Sequence, residues 1–221
     1  MLAYYGVGLL ALRQGDWPRG LPLLERAVSI CQDADLPGFF PRIASALGMG
    51  YALDGRVADA VSLLTLARER SLAMGRAHYE TLCNLPLGEA RMLDGCLGEA
   101  QTLAGRALAL ARTHQERGNE AYALRLLGEV AARGDVSERT QAEGHSLQAL
   151  ALAEELGMRP LTAHCQLGLG TLYGQMGQLE KARAALSIAI ALYRAMAMTF
   201  WLPQAEAVLA QVGTAPAPRM D

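Results

Sequence analysis

Two short stretches of this sequence contain residue types that could bind a nucleotide or perform nucleophilic catalysis. The first, residues 6–11, reads Gly-Val-Gly-Leu-Leu-Ala and matches the G-x-G-x-x-G/A dinucleotide pattern. That pattern works only after a strand within a βαβ unit, and only five residues precede it in this chain. Lys181 is the only lysine and lies in no G-x-x-x-x-G-K-[ST] sequence, so a P-loop is excluded as well.

The second stretch is the adjacent pair His164 and Cys165, in which an imidazole could act as the base for a thiol nucleophile. Helix neighbours point about 100° apart, so the two side chains cannot face each other. We expect Cys165 to pack as a small buried hydrophobe and His164 to point outward. The other histidines lack metal-ligand spacing, and Glu154-Glu155 is typical of a solvated helix face. The sequence therefore predicts no catalytic residue, metal ligand or cofactor site.

Composition excludes several classes of partner and compartment. A net charge of −2 provides no basic face for DNA or RNA. No apolar run reaches the roughly 18 residues that span a bilayer. The cysteines show no C-x-x-C spacing, and the first residues lack the basic region of a secretory signal. We therefore expect a reduced, cytoplasmic protein without a nucleic-acid or membrane partner.

The elements that position these residues follow an internal repeat. Glycine recurs about every 40 residues, with one step of 42, and an alanine series follows the same spacing. The two series are Gly8, Gly48, Gly88, Gly128 and Gly170, and Ala27, Ala67, Ala107, Ala149 and Ala189. Such a period indicates a solenoid of stacked units. We expect these small residues to let helix backbones approach closely.

Each unit contains two stretches of helical periodicity separated by a glycine turn, such as Gly15-Asp16 in the first unit. A longer turn at residues 133–137 accounts for the step of 42. The predicted boundaries are 1–37, 38–76, 77–117, 118–158 and 159–197 for the units, 199–212 for a capping helix and 213–221 for a flexible tail.

The spacing within the first unit resembles the tetratricopeptide repeat. The residues at its signature places are Tyr4, Val7, Gly8, Gly15, Asp16, Trp17, Leu24 and Ala27. Gly20 replaces the usual alanine, Ala11 replaces the usual tyrosine, and the standard unit has 34 residues. The resemblance covers residues 1–212 as a single domain. It implies an all-α, right-handed α-solenoid of five extended helical hairpins, each of about 40 residues, and a C-terminal capping helix.

A narrower resemblance concerns residues 120–128, 151–158 and 198–204. These stretches resemble the C-terminal repeat arrays of bacterial signalling proteins that carry an AAA-type ATPase and an adenylate/guanylate cyclase domain. The resemblance implies that this chain is one segment of a sensor. It transfers no catalytic residue, because no cyclase or ATPase motif lies within the chain.

In tetratricopeptide arrays the first helix of each unit lines a concave groove, and the resemblance transfers these places to this chain. The predicted groove residues are Tyr5, Leu9, Arg42, Ser45, Met49, Leu82, Leu85, Glu89, Tyr122, Arg125, Glu129, His164, Leu167 and Thr171. Their mixture of apolar and charged side chains fits a peptide or helix ligand. The Lys and Asn clamp of heat-shock co-chaperones is missing from the corresponding places, which argues against that class.

The N-terminus predicts a second contact surface. Met1 opens directly into an apolar helix without a cap, which would expose Leu2, Tyr5 and Leu9. We expect either a longer array or another subunit to cover that end.

Together these features predict a non-catalytic interaction or scaffold module that binds a protein or peptide. The alternative is a small-molecule-sensing domain that regulates an attached ATPase or cyclase, with its ligand near Tyr122, Arg125 and His164.

Overall fold

The computed structural model describes residues 1–75 and 77–214, which form eleven α-helices and one 3-10 turn at Val136–Glu138. The helices are α1 Leu2–Gln14, α2 Trp17–Asp33, α3 Phe40–Leu53, α4 Val57–Ala73, α5 Ala77–Leu93, α6 Leu97–Thr113, α7 Arg117–Arg133, α8 Arg139–Glu155, α9 Arg159–Gln175, α10 Leu179–Ala195 and α11 Trp201–Thr214. The first ten pack as five consecutive hairpins, and α11 packs on the last of them. The all-α prediction is confirmed.

The turn of the first hairpin shows why these residues separate two helices. Gly15 adopts the left-handed conformation (φ +86°), which glycine reaches at no steric cost. The N–H of Asp16 then donates to the Ala11 carbonyl, closing the end of α1. The Asp16 carboxylate accepts the N–H of Arg19 and so caps α2, which begins at Trp17. The predicted turn at Gly15-Asp16 is confirmed.

The repeated small residues lie where two helices of a hairpin approach most closely. A Cβ added to Gly8 would lie 2.9 Å from Leu24 Cγ, and one added to Gly170 would lie 2.6 Å from Leu186 Cγ. The repeated alanines are all fully buried: Ala27, Ala67, Ala107, Ala149 and Ala189. The expected structural role of these positions is confirmed, because larger side chains would force the hairpins apart.

The hairpins stack into an inner and an outer layer. Each odd-numbered helix contacts the next odd-numbered helix, whereas successive even-numbered helices have no Cα atoms within 8 Å of each other in the described residues. Because neighbouring odd helices approach more closely, the array curves with these helices on its inner side. The right-handed sense of the array and the 40-residue length of its unit stay predictions.

Curvature also brings the two ends of the array together. The Trp17 ring lies 4.0 Å from the Phe200 ring between centroids, edge to face. A Cβ on Gly15 would lie 2.5 Å from Phe200 Cβ, so the first turn and the segment before α11 are in direct backbone contact. The Thr199 hydroxyl donates to the Gln14 carbonyl at 3.5 Å. A solenoid usually has contacts only between neighbouring units, so this end contact is an additional constraint.

Two local predictions have different outcomes. The irregular turn at residues 133–137 is confirmed, because Gly134 is extended and a 3-10 turn at Val136–Glu138 follows it. The flexible tail at 213–221 stays a prediction, and its first two residues, Gly213 and Thr214, belong to α11. The remaining tail residues, 215–221, lie outside the described part of the chain.

The N-terminal helix exposes apolar side chains, but not all of those predicted. Tyr5 and Leu9 are half-buried and pack against the first hydrophobic cluster. Their predicted exposure is therefore wrong, because this side of α1 packs against α2 and α3. The large exposed apolar residues of α1 are Leu2, Tyr4, Val7 and Leu10.

Candidate functional site on the inner layer

The predicted groove residues all lie on the inner-layer helices α1, α3, α5, α7 and α9. We call the surface that they form, apart from Ser45, the inner face. Ser45 is only 5% exposed, and its hydroxyl donates to the Cys83 sulfur at 3.5 Å between α3 and α5. The prediction that Ser45 lines the groove is wrong, because these two helices pack directly at this position.

Apolar side chains of the inner face are partly accessible along most of the array. Leu82 and Leu85 on α5 are half-buried, as are Tyr122 on α7 and Leu167 on α9. Met49 packs partly against the first hydrophobic cluster. Two polar positions complete the surface: Arg42 is exposed, and Thr171 donates its hydroxyl to a backbone carbonyl of its own helix. A partner could therefore bury additional apolar area here.

An ion network lies at the centre of the inner face. Arg125 on α7 donates to Glu129 on the same helix and to Glu89 on α5. The side chains are 14% (Arg125), 24% (Glu129) and 27% (Glu89) exposed. Arg133 extends the network, with Nη1 4.0 Å from Glu129 Oε2. The structure thus brings three predicted residues together, and their contacts connect the third and fourth hairpins.

The surroundings of this network determine which groups are charged. Burial disfavours a charged Arg125, but Glu129 and Glu89 outweigh that effect and raise its pKa. Burial raises the pKa of Glu89, with Arg125 opposing this shift and Glu129 adding to it. The guanidinium therefore remains charged, and the Glu89 carboxyl takes up a proton more readily than an exposed glutamate.

His164 lies at the C-terminal end of the inner layer among aromatic rings. Its Nδ1 is hydrogen-bonded to the Tyr193 hydroxyl at 2.8 Å, and its ring lies 5.1 Å from that of Trp201. Burial, together with the positive charge of Arg125, lowers its pKa to about 3, so the imidazole is neutral at pH 7. The expectation that His164 points outward is wrong, because α10 and α11 cover it.

Cys165 is buried next to His164 in the sequence but lies in a different environment. It is packed in the hydrophobic cluster shared by α7, α8 and α9. Burial raises its pKa to about 12, and the charge of Arg125 only partly opposes this shift. A thiol with so little thiolate is a poor nucleophile, and its expected packing in the core is confirmed.

Sequence reasoning missed how these residues pair. Arg125 and Glu129 have the helix spacing of an ion pair, and Glu89 occupies the same repeat position as Glu129 one unit earlier. These signals were sufficient to predict the network. By contrast, no pattern indicated that Trp17 would contact Phe200, because that contact depends on the total curvature.

The described residues contain no group of three or more metal-ligating side chains close enough to hold an ion. Within residues 1–75 and 77–214, no helix has the length and apolar character needed to cross a membrane. The chemistry that the inner face offers is recognition, through accessible apolar surface around a charged centre.

Comparisons with known proteins connect this architecture to solved structures. The sequence matches no protein-family model and no curated protein. A Signal Transduction ATPase with Numerous Domains (STAND) protein with a tetratricopeptide repeat sensor, from Pyrococcus horikoshii, superposes with a TM-score of 0.66. Its sequence identity is 17%, over 95% of this chain. The present chain has the fold of a tetratricopeptide-repeat array.

Two other structures support the same fold. BtubC (BKLC) from P. vanneervenii has a TM-score of 0.58 at 17% identity, covering 96% of each chain. A protein from Podospora anserina, described as a kinesin light chain with nearly identical TPR-like repeats, has a TM-score of 0.57 at 19% identity. It matches 86% of this chain and 93% of its own length. The present array spans 32% of the STAND protein's length.

Proposed function

We propose that this chain is a non-catalytic interaction module of a cytoplasmic bacterial signalling or regulatory protein, and that its inner face binds a peptide or helix. The observation that carries the proposal is the accessible apolar surface beside the central ion network. Leu82, Leu85, Tyr122 and Leu167 are half-buried on successive inner helices. Side chains spaced along several helices suit an extended or helical segment.

The ion network has a distinct part in this proposal. Glu89, Arg125 and Glu129 satisfy one another, which keeps the middle of the inner face in one shape before a partner arrives. A preformed surface loses less conformational entropy on binding. The apolar residues would then supply most of the affinity, because the two glutamates of the network are already compensated by Arg125 and Arg133.

The neighbouring STAND protein, named for its tetratricopeptide repeat sensor, supports a sensor role for this array. We propose that residues 1–212 form one right-handed domain, with units near 1–37, 38–76, 77–117, 118–158 and 159–197 and a cap at 199–212. As a segment of a longer ATPase or cyclase protein, the array would transmit binding on its inner face to the catalytic part.

A peptide-display selection on the full chain tests the inner face, with the affinity of selected peptides measured by calorimetry. Leu85→Asp introduces a charge on the inner face, whereas Leu66→Asp introduces the same charge at an exposed position of α4. We expect Leu85→Asp to weaken peptide binding by about tenfold or more, since it removes apolar contact and adds a buried charge. Leu66→Asp should leave the affinity unchanged. Peptides that bind both variants equally would show that the inner face is not the site.

The small-molecule alternative receives less support from the geometry. Two of its three proposed ligand contacts already have protein partners, because Arg125 contacts two carboxylates and His164 contacts Tyr193 and Trp201. In a thermal-shift screen, a metabolite that stabilises the chain when no peptide does so would favour this alternative over the first proposal.

Self-association is a second proposal, favoured by the exposed apolar residues of α1. Val7 and Leu10 are 46% and 59% exposed on the same side of the helix. A second copy could bury this face, since such a face is uncommon on a monomer. Light scattering after chromatography should show a dimer in wild type and a monomer in Leu10→Asp. If wild type and Leu10→Asp are both monomers, the self-association proposal is contradicted.

A further inference from the structure

A second candidate site lies on the opposite side of the array from the inner face. A cavity of about 390 Å³ opens between α4 and α6, with α5 as its floor. Its lining includes Thr65 and Arg68 from α4, Leu87 and Arg91 from α5, and Glu99 and Thr102 from α6. We call it the outer cleft.

Two arginines line the outer cleft, and they differ in their partners. Arg91 contacts Glu99 at 3.0 Å and Asp94 at 3.4 Å, so its charge is compensated. Arg68 forms no ion pair within the described part of the chain, and its Nε is buried without a hydrogen-bond partner. A buried donor without a partner costs stability, and Arg125 Nε is in the same situation, so the missing ion pair is what distinguishes Arg68.

The internal repeat shows that the fold does not require an arginine at this position. The residues at the same place in the other four units are Val28, Leu108, Leu150 and Ile190. All four are aliphatic and pack in hydrophobic clusters between helices. Arg68 therefore replaces a side chain that would pack better, which indicates a role other than packing.

We propose that the outer cleft binds a carboxylate group, with the Arg68 guanidinium as its principal contact. The planar guanidinium presents paired N–H donors whose spacing matches the two oxygens of a carboxylate. The Thr65 hydroxyl lines the same space and supplies a further donor. The Thr102 hydroxyl donates to the Gly98 carbonyl at 2.9 Å, so it is not counted as a donor to the ligand.

Charge favours a carboxylate over a phosphate in this cleft. Glu99 and Asp94 already compensate Arg91, so Arg68 supplies the positive charge of the cleft that has no ion-pair partner among the described residues. A singly charged carboxylate compensates that charge, whereas a dianionic phosphate would keep one negative charge uncompensated and would cost more to desolvate. The carboxylate can come from an acidic side chain of a bound protein segment or from a free organic acid.

Titrations of the full chain with defined probes test this site. The probes are sodium acetate, a blocked glutamate-containing tripeptide and methylphosphonate, each at constant ionic strength with sodium chloride and at a pH at which the phosphonate is a dianion. Binding is followed by calorimetry and by the nitrogen–proton resonance of Arg68 Nε. We expect saturable carboxylate binding of about millimolar affinity or tighter, and weaker binding of the phosphonate. A tripeptide that binds more tightly than acetate assigns the site to a protein segment, and the reverse assigns it to a free acid.

Two variants make the test specific. Arg68→Leu introduces the residue type of Leu108 and Leu150, so the fold should tolerate it, and circular dichroism checks this. Arg26→Leu removes the same charge from an exposed position of α2, where the second unit has Leu66. We expect Arg68→Leu to weaken carboxylate binding by about tenfold or more and Arg26→Leu to have no effect. Wild-type protein without saturable carboxylate binding, or equal binding by Arg68→Leu, would overturn the proposal.

Discussion

The inner face and the outer cleft each contain a partly buried arginine, and the two arginines differ in their ion-pair partners. Arg125 on the inner face donates to carboxylates from two helices. Both Nε atoms are buried without a hydrogen-bond partner, but Arg68 in the outer cleft forms no ion pair with any residue that the structure describes. The comparison shows that one residue type serves two roles in this array, because an arginine in ion pairs connects units, whereas one without an ion pair remains available to a ligand.

The layer in which each arginine lies explains this difference. Inner helices of successive units contact each other, so Arg125 reaches Glu89 of the preceding unit. Outer helices of successive units have no Cα atoms within 8 Å of each other in the described residues, so Arg68 on α4 faces an open cleft. Four predictions test the contrast between the two layers, beginning with the largest expected effect.

Replacing Arg125 should lower the free energy of unfolding more than any of the other changes. Arg125→Leu leaves the carboxylates of Glu89 and Glu129 without their cation, and breaking a buried ion pair in this way costs about 3–5 kcal/mol. Urea unfolding measures the loss in the free energy of unfolding. The control adds Glu89→Gln and Glu129→Gln to the same variant, which should recover much of the loss. A loss below about 1 kcal/mol in the single variant would mean that the network does not hold the inner layer together.

Acid should weaken the inner layer through His164. Its pKa is lowered to about 3 in the folded protein, so the unfolded chain takes up this proton first as the pH falls below about 6.5. Between about pH 7 and pH 5, wild type should lose about 2 kcal/mol more stability than His164→Gln, which cannot titrate. The raised pKa of Glu89 acts in the opposite direction, but it is common to both proteins and cancels in the difference. Parallel stability curves for the two proteins would contradict this prediction.

The contact between the ends of the array can be tested with two equivalent glycines. Gly15 and Gly95 both adopt left-handed backbone conformations, at φ +86° and +81°. A Cβ at Gly95 meets nothing within 4 Å, whereas one at Gly15 would meet Phe200. Gly95→Ala should lower the free energy of unfolding by about 1 kcal/mol through backbone strain alone. Gly15→Ala should lower it by about 1–2 kcal/mol more, because its Cβ also meets Phe200. Small-angle scattering should show a larger radius of gyration only for Gly15→Ala. Equal effects of both variants would show that the two ends of the array do not contact each other in solution.

The smallest expected effect has the opposite sign and belongs to the outer cleft. Arg68→Leu removes a buried donor without a partner and adds apolar packing, which should raise the free energy of unfolding by about 1 kcal/mol. Thermal and urea unfolding measure the change, and Arg26→Leu is again the control. Destabilisation by Arg68→Leu would show that this arginine supports the fold. Arg68 and Arg125 would then both have a structural role, which would contradict the proposed difference between the two layers.

Much of the fold could be predicted from the sequence because each repeat unit is defined by residues that are close together in the chain. Gly15-Asp16 ends one helix and begins the next through backbone geometry and a side-chain cap. Gly8 and Ala27 mark the faces that must approach closely, since larger side chains do not fit there. The resemblance to the tetratricopeptide repeat assigned the groove residues to the inner helices, with Ser45 misassigned because α3 and α5 pack so closely there.

The sequence by itself thus determined the helices, their pairing into hairpins and the side on which each repeat position lies, because these depend on neighbours in the chain. Only the tertiary structure decided which positions meet across units. Glu89 contacts Arg125, Trp17 contacts Phe200, and Arg68 has no partner among the residues that the structure describes. These outcomes depend on the angle between successive hairpins, which accumulates along the array. The packing of all five hairpins sets that angle, and no single repeat encodes it.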